Sequence, residues 1–258
     1  VRSATPVIGI CLFCDESKEL QRSHTINKTF FSELLKSCHE TNSARVISLS
    51  SDTIKNSNDN WTDRLLCKEC ESYFNQHFDG YGPNLLRGKI KNVNIASLKN
   101  KVIYENVDTS KLMLYFISLY WRGAKSNHPS YEALITNDVI HNFLKHCLTE
   151  LKLDCKYINI SVSKIYDGVG AITESSVKQM MVSPFYRLYE QSNSYSFCFI
   201  FEGFFIEIYF GKMPYILRKK REWLKPNTRV MKCDKISFYE INELHKLFSH
   251  MFIAKRNT

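Results

Sequence analysis

Cys67-Lys68-Glu69-Cys70-Glu71-Ser72-Tyr73-Phe74-Asn75-Gln76-His77-Phe78 joins two thiols, spaced as a metal-ligand pair, to an apolar stripe at Cys70, Tyr73, Phe74, His77 and Phe78. That spacing predicts a helix opening on the pair. Thiols at a helix start meet free backbone N–H groups and the positive end of the helix dipole, which lowers their pKa and suits them to a cation. A second pair, Cys11-Leu12-Phe13-Cys14, follows a short strand predicted over Val7 to Ile10. Four thiolates so arranged fit one tetrahedral zinc, with Cys11, Cys14, Cys67 and Cys70 as its ligands.

The remaining five cysteines, Cys38, Cys147, Cys155, Cys198 and Cys233, are scattered singly, which reads as free core thiols in a reducing, cytoplasmic compartment, not a disulfide framework. Cys38-His39 lies between the pairs and is a substitute ligand set. With 258 residues, 44% hydrophobic and 24% charged, the chain can bury a real core, so zinc acts as a local staple. Leu112 to Trp121, interrupted only by Ser118, is about half of the roughly 20 residues a membrane span needs. It reads as a buried helix, and no membrane partner is expected. Val1 to Pro6 lacks the basic and apolar regions of a secretory signal.

Charge is divided unevenly. Residues 1–80 hold nine Lys or Arg against eleven Asp or Glu, whereas the rest of the chain holds 26 against 15, more than the whole net charge of +9. Two tracts dominate: Arg87, Lys89, Lys91, Lys99 and Lys101 with no acid between, and Arg218, Lys219, Lys220, Arg221, Lys225, Arg229 and Lys232 with Glu222 alone. Each is either a solvated face or a track for a phosphate backbone. Arg87, Lys89, Lys91, Arg218, Lys219, Lys220 and Arg221 are the candidate nucleic-acid contacts.

Phe30, Phe31, Leu34 and Leu35 have helical spacing, and the Ser- and Asn-rich stretch from Ser48 to Asn60 reads as an exposed loop. Asp79-Gly80-Tyr81-Gly82-Pro83 is expected to stop the helix and divide residues 1–80 from 81–258. Beyond it, helices are predicted within 108–152, where Val139, Ile140, Phe143, Leu144, Cys147, Leu148 and Leu151 keep a 3.6 period. Strands follow over 156–217: Ile158, Ile160 and Val162 alternate, and Tyr195 to Phe210 reads as a hairpin turning at Glu202-Gly203. Ser237-Phe238-Tyr239-Glu240 is a capping box expected to open a terminal helix over 237–254. The order is α+β.

Cys11-x-x-Cys14, Ser23-His24-Thr25-Ile26 and Leu65-Leu66-Cys67-x-x-Cys70-Glu71 together resemble the zinc-stapled branch of the HNH, or His-Me finger, endonucleases, over about residues 8 to 80. The resemblance implies an N-terminal ββα, treble-clef-like unit around structural zinc, with His24 activating water and a catalytic Mg2+ or Mn2+ on nearby polar side chains. It departs from the family at Ser23, where an acid or His is usual, at Glu71, where His or Asn is usual, and at Thr62, where Asn is usual, with Asn60 and Asp63 close by.

His24 is therefore either a general base or an imidazole that replaces a thiolate or bonds the local backbone. Glu71 is either a ligand for a divalent ion or a solvated acid favoured by the helix dipole. The expected function is phosphodiester hydrolysis on nucleic acid, DNA before RNA, in a compact nuclease such as a bacterial antiviral defence or toxin effector switched by a partner ATPase or sensor. The alternative is a catalytically inactive zinc-stapled subunit that binds nucleic acid or protein within a larger complex.

Overall fold

A computed structural model describes residues 6–37, 44–49, 53–57, 59, 61–153, 156–170, 173–178, 180–190 and 194–245. They form a mixed α+β fold built on two sheets. In the small sheet, β1 (Ile8–Ile10), β2 (Ser17–His24) and β5 (Thr62–Cys67) lie in the order β1-β2-β5, both pairs antiparallel. β5 runs straight into α2 (Lys68–Phe74), so the second cysteine pair opens a helix, as the spacing predicts. A π-helical turn at Asn75–Asp79 follows.

The large sheet has nine strands. It contains β3 (Ala44–Ser48), β4 (Thr53–Ser57), β6 (Asn94–Ser97), β7 (Lys101–Glu105), β8 (Ile158–Tyr166), β9 (Met181–Tyr189), β10 (Ser194–Phe201), β11 (Phe204–Phe210) and β12 (Val230–Ser237), in the order β4-β3-β9-β10-β11-β8-β12-β7-β6. Pairing is antiparallel except at β3/β9 and β8/β12. The β10–β11 hairpin turns at Glu202 and Gly203, both at positive φ (51° and 74°). Two left-handed residues give the type I′ geometry that matches strand twist, so this hairpin is fixed locally.

Between the sheets lies α4 (Thr109–Gly123), capped by Asp108, whose side chain accepts from the Lys111 N–H at 3.0 Å. Every residue from Leu112 to Gly123 is buried, as a helix apolar all round must be. Tyr120 meets Phe197 and Phe210 of the large sheet at 4.7 and 4.8 Å between ring centroids. From the other side, Phe74 stacks on Trp121 at 5.6 Å and Phe13 meets it edge-on at 5.8 Å. One core thus runs from the cysteine pairs through α4 to the sheet. A second apolar layer on the opposite sheet face gathers Val182, Cys198, Ile200 and Phe205 under α6 (Glu174–Lys178) and the residues around Phe238. Among the described residues no helix is long and apolar enough to cross a membrane. Cys147, Cys198 and Cys233 are buried, while Cys38, His39 and Cys155 lie outside the described residues.

Three expectations need correction. The polar stretch after Ser48 contains β4, which pairs with β3 to form the edge hairpin of the large sheet. Two strands from within residues 1–80 therefore belong to the sheet that residues 81–258 otherwise build. After Asp79 the chain stays helical as α3 (Tyr81–Leu86), where a Cβ on Gly82 would lie 2.0 Å from the Tyr115 ring; this glycine allows close packing on α4 where a chain break was expected. The capping box of Ser237 and Glu240 forms, but it caps a single 3-10 turn, Phe238–Glu240. Ile241 then turns extended, helical backbone resumes only at 242–245, and 246–254 lie outside the described residues.

α5 (Asp138–Thr149) leans on α4 through His141, whose ring stacks on Trp121 at 4.8 Å. Burial first, then the Lys125 and Lys145 charges, lowers the His141 pKa to about 4. Because the folded value lies below the unfolded one, this neutral imidazole is tolerated in full above pH about 6.5, and stability is lost as pH falls from there towards about 4. The loss should reach about 3 kcal/mol. His141→Phe should keep the stack and abolish that part of the acid sensitivity in urea titrations across this window; an unchanged pH profile would refute the assignment.

Candidate metal centre and the polar cluster beside it

The first cysteine pair sits in a tight turn between β1 and β2. The Cys11 N–H donates to Glu16 O at 2.9 Å, the Asp15 N–H to Cys11 O at 2.9 Å, and Asp15 takes positive φ (61°). The Leu12 N–H donates to Leu65 O at 3.0 Å, tying the turn to β5. Cys67 is the last residue of β5 and the N-cap of α2, in extended conformation, and Cys70 lies in the first helical turn. The four Sγ atoms of Cys11, Cys14, Cys67 and Cys70 all fall within 4.8 Å of one another, with Cys14 to Cys67 at 3.9 Å.

A tetrahedron with Zn–S bonds of about 2.3 Å has sulfur–sulfur edges of roughly 3.8 Å, so this donor set fits a zinc ion. The electrostatics agree. Burial raises the Cys11 pKa, yet the backbone N–H groups of Cys14, Cys67 and Phe13 bring it down to about 7. Burial, then the neighbouring thiols, push Cys70 upward, a penalty that a dication at the centre removes. Three of the ligands are buried and Cys14 is half-buried, as a closed structural site requires.

Next to the sulfurs, β2 ends at His24, opposite Thr62 of β5. Ser23 is fully buried, and its hydroxyl donates to Glu71 Oε2 at 2.7 Å. Burial raises the Glu71 pKa, partly offset by that bond and by Arg122. His24 is half-buried, and its Nε2 is shielded and makes no hydrogen bond. Burial, then Lys28 and Arg122, lowers its pKa, so the ring is neutral. Among the described residues no hydrogen bond or ion pair joins His24 to Glu71.

What connects this region is Arg122, the last charged residue of α4, with no exposed surface. It clamps Asp79 through Nη1 at 3.0 Å and Nη2 at 2.6 Å, donates to the His24 carbonyl at 2.8 Å, and lies 5.2 Å above the Phe74 ring. The Tyr115 hydroxyl, buried and unpartnered, sits in the field of both charges, and burial holds its pKa well above the usual range. Neither Arg122 nor Asp79 was among the sequence candidates. The available signal was a single cation ending an apolar run of ten residues, since such a charge must find a buried partner.

The other candidates separate. Asp63 Oδ1 accepts from the Arg64 N–H at 2.7 Å, and Oδ2 from the Asn127 N–H at 2.6 Å and Ser126 Oγ at 3.2 Å, so it holds a loop. Asn60 lies outside the described residues. Arg87 pairs bidentately with Glu202 and lies over Phe30 at 4.7 Å; Arg221 donates to the buried Glu207 at 2.5 Å. Both arginines brace the fold. Lys89, Lys91, Arg218, Lys219 and Lys220 are exposed, the last three on α7 (Tyr215–Lys220). No protein-family model, curated protein or solved structure matches this chain.

Proposed function

We propose that this protein is a zinc-stapled, HNH-like endonuclease that hydrolyses phosphodiester bonds in nucleic acid, DNA before RNA. The observation that carries the reading is the placement of His24: it ends the strand of a β2–β5–α2 unit wrapped on the four sulfurs, with a half-buried neutral ring whose Nε2 makes no hydrogen bond among the described residues. An uncommitted neutral imidazole is the form a general base needs near neutral pH. Arg122 fixes the His24 carbonyl, and with it the end of the strand. In hydrolysis the His24 ring takes the proton from water, the water oxygen bonds phosphorus, and the leaving sugar oxygen takes a proton from solvent as its P–O bond breaks.

Among the described residues the hydrogen bond Glu71 accepts is from Ser23 at Oε2, so Oε1 is the carboxylate oxygen it would offer to Mg2+ or Mn2+. Magnesium is commonly held by one or two carboxylates plus substrate phosphate and water, where it neutralises charge on the phosphoryl oxygens. The buried free thiols of Cys198 and Cys233 fit a reducing cytoplasm, and a compact nuclease of this kind fits a defence effector switched by a partner ATPase or sensor.

A second reading, the same unit as a binding scaffold without catalysis, is favoured by the shielding of Nε2 and the engagement of Glu71 by Ser23. Plasmid and RNA cleavage across divalent metals separates the two. His24→Ala should lower cleavage by at least about 100-fold with zinc content unchanged. Cleavage that survives in His24→Ala rejects the mechanism, and a wild type that binds nucleic acid without cutting supports the scaffold.

A further inference from the structure

The exposed end of β9 and the short helix α7 face each other across a groove of about 330 Å³, its apolar lining from Leu188, Pro214, Ile216 and Leu217 and its polar lining from Tyr189, Glu190 and Lys220. Its rim is unusual for a solvated face. Tyr215 is 67% exposed and Ile216 57%, and Leu188 across the groove is 55% exposed. Large apolar groups left in water beside a cationic helix mark a surface shaped for something both flat and negatively charged. Arg218, Lys219 and Lys220 are all exposed, and among the described residues none forms an ion pair with a carboxylate. Lys219 Nζ lies 4.6 Å from the centroid of the Tyr215 ring, so one π-face is already oriented beside a cation. Arg187 and Arg221, by contrast, are neutralised by Glu243 and Glu207 and add no charge to the groove.

We infer that this groove binds single-stranded DNA: a base stacks on Tyr215 against the apolar wall of Ile216 and Leu188, while Arg218, Lys219 and Lys220 follow the phosphates. An exposed ring with flanking cations is the recognition pattern of a single strand, whose bases have free faces, and a duplex hides those faces in its own stack. The groove also carries Tyr189, Glu190 and Lys220, so its walls do not select the sugar, and DNA is taken from the function proposed above. The inference rests on the nucleic-acid part of the function proposed above and is independent of whether the zinc-stapled unit cuts.

The test is fluorescence anisotropy with labelled oligo-dT, oligo-rU and a DNA duplex of equal length, on the full chain carrying His24→Ala so that the probes stay intact. Oligo-dT should bind at least about tenfold more tightly than duplex, Tyr215→Ala should weaken it about tenfold, and Tyr215→Phe no more than about twofold. Replacing Arg218, Lys219 and Lys220 together by Gln should lower the salt dependence, as the slope of log K against log salt, by about 2. Equal binding of strand and duplex, tighter binding of oligo-rU, or a Tyr215→Ala protein that binds oligo-dT as before would each overturn it. If wild type cuts DNA while Tyr215→Ala binds unchanged, the groove assignment fails and hydrolysis stands. If Tyr215 governs binding while wild type never cuts, the groove stands and hydrolysis fails.

Discussion

Cys67→Ser should strip the protein of its zinc and lower its melting temperature by about 10 °C or more. The residue is 1% exposed and stands at the junction of β5 and α2, so the substitution removes a buried ligand at a point where no other donor can take its place. Loss of a structural metal belongs to the few single changes that cost more than about 4 kcal/mol. The figure stays below the ~10–16 kcal/mol typical of zinc-finger peptides, because Phe74, Phe13 and Trp121 hold the unit to α4 independently of the metal. Metal analysis alongside thermal unfolding checks it, with a chelator on wild type reproducing the variant. Retention of both full zinc content and melting temperature would show that the sulfurs hold no structural ion.

Arg122→Met should destabilise the fold by about 3–5 kcal/mol, the cost of leaving one member of a buried ion pair uncompensated. Asp79 is 7% exposed and has both carboxylate oxygens on the guanidinium, so without Arg122 it has no comparable partner, and the His24 carbonyl loses its donor as well. Adding Asp79→Leu should restore much of the loss, since removing both charges removes the desolvation problem. Denaturant titration of the two single variants and the double variant measures the coupling. Additive losses in the double variant would mean that the two groups do not stabilise each other.

What could be read from the sequence was what is encoded locally. The cysteine spacings place four sulfurs together, and Glu202-Gly203 dictates its own turn. The β3–β4 hairpin was not legible, because its Ser- and Asn-rich composition is that of a loop and its place is set by pairing Val46 with Met181, far along the chain. Arg122 and Asp79 are hidden for the same reason, being 43 residues apart and joined only by the packing of α4 on the turn after α2. The Ser237–Glu240 box shows the reverse error: the local signal is obeyed for one turn, then the backbone at Ile241 departs from it. Of the candidate site, the sulfurs were legible, His24 and Glu71 were legible as residue types, and the clamp that holds the His24 carbonyl was not.

Between β2 and β5 the chain leaves the small sheet, lays β3 beside β9, returns through β4, and only then completes the hairpin that carries Cys67. The two sheets are therefore stitched together by the polypeptide itself. Cutting the gene after residue 80 would give one fragment with an orphaned β-hairpin and another whose ninth strand has lost its neighbour, an open edge that invites association with other chains. Shuffling or grafting has to treat the metal-bearing end and the large sheet as one inheritable unit.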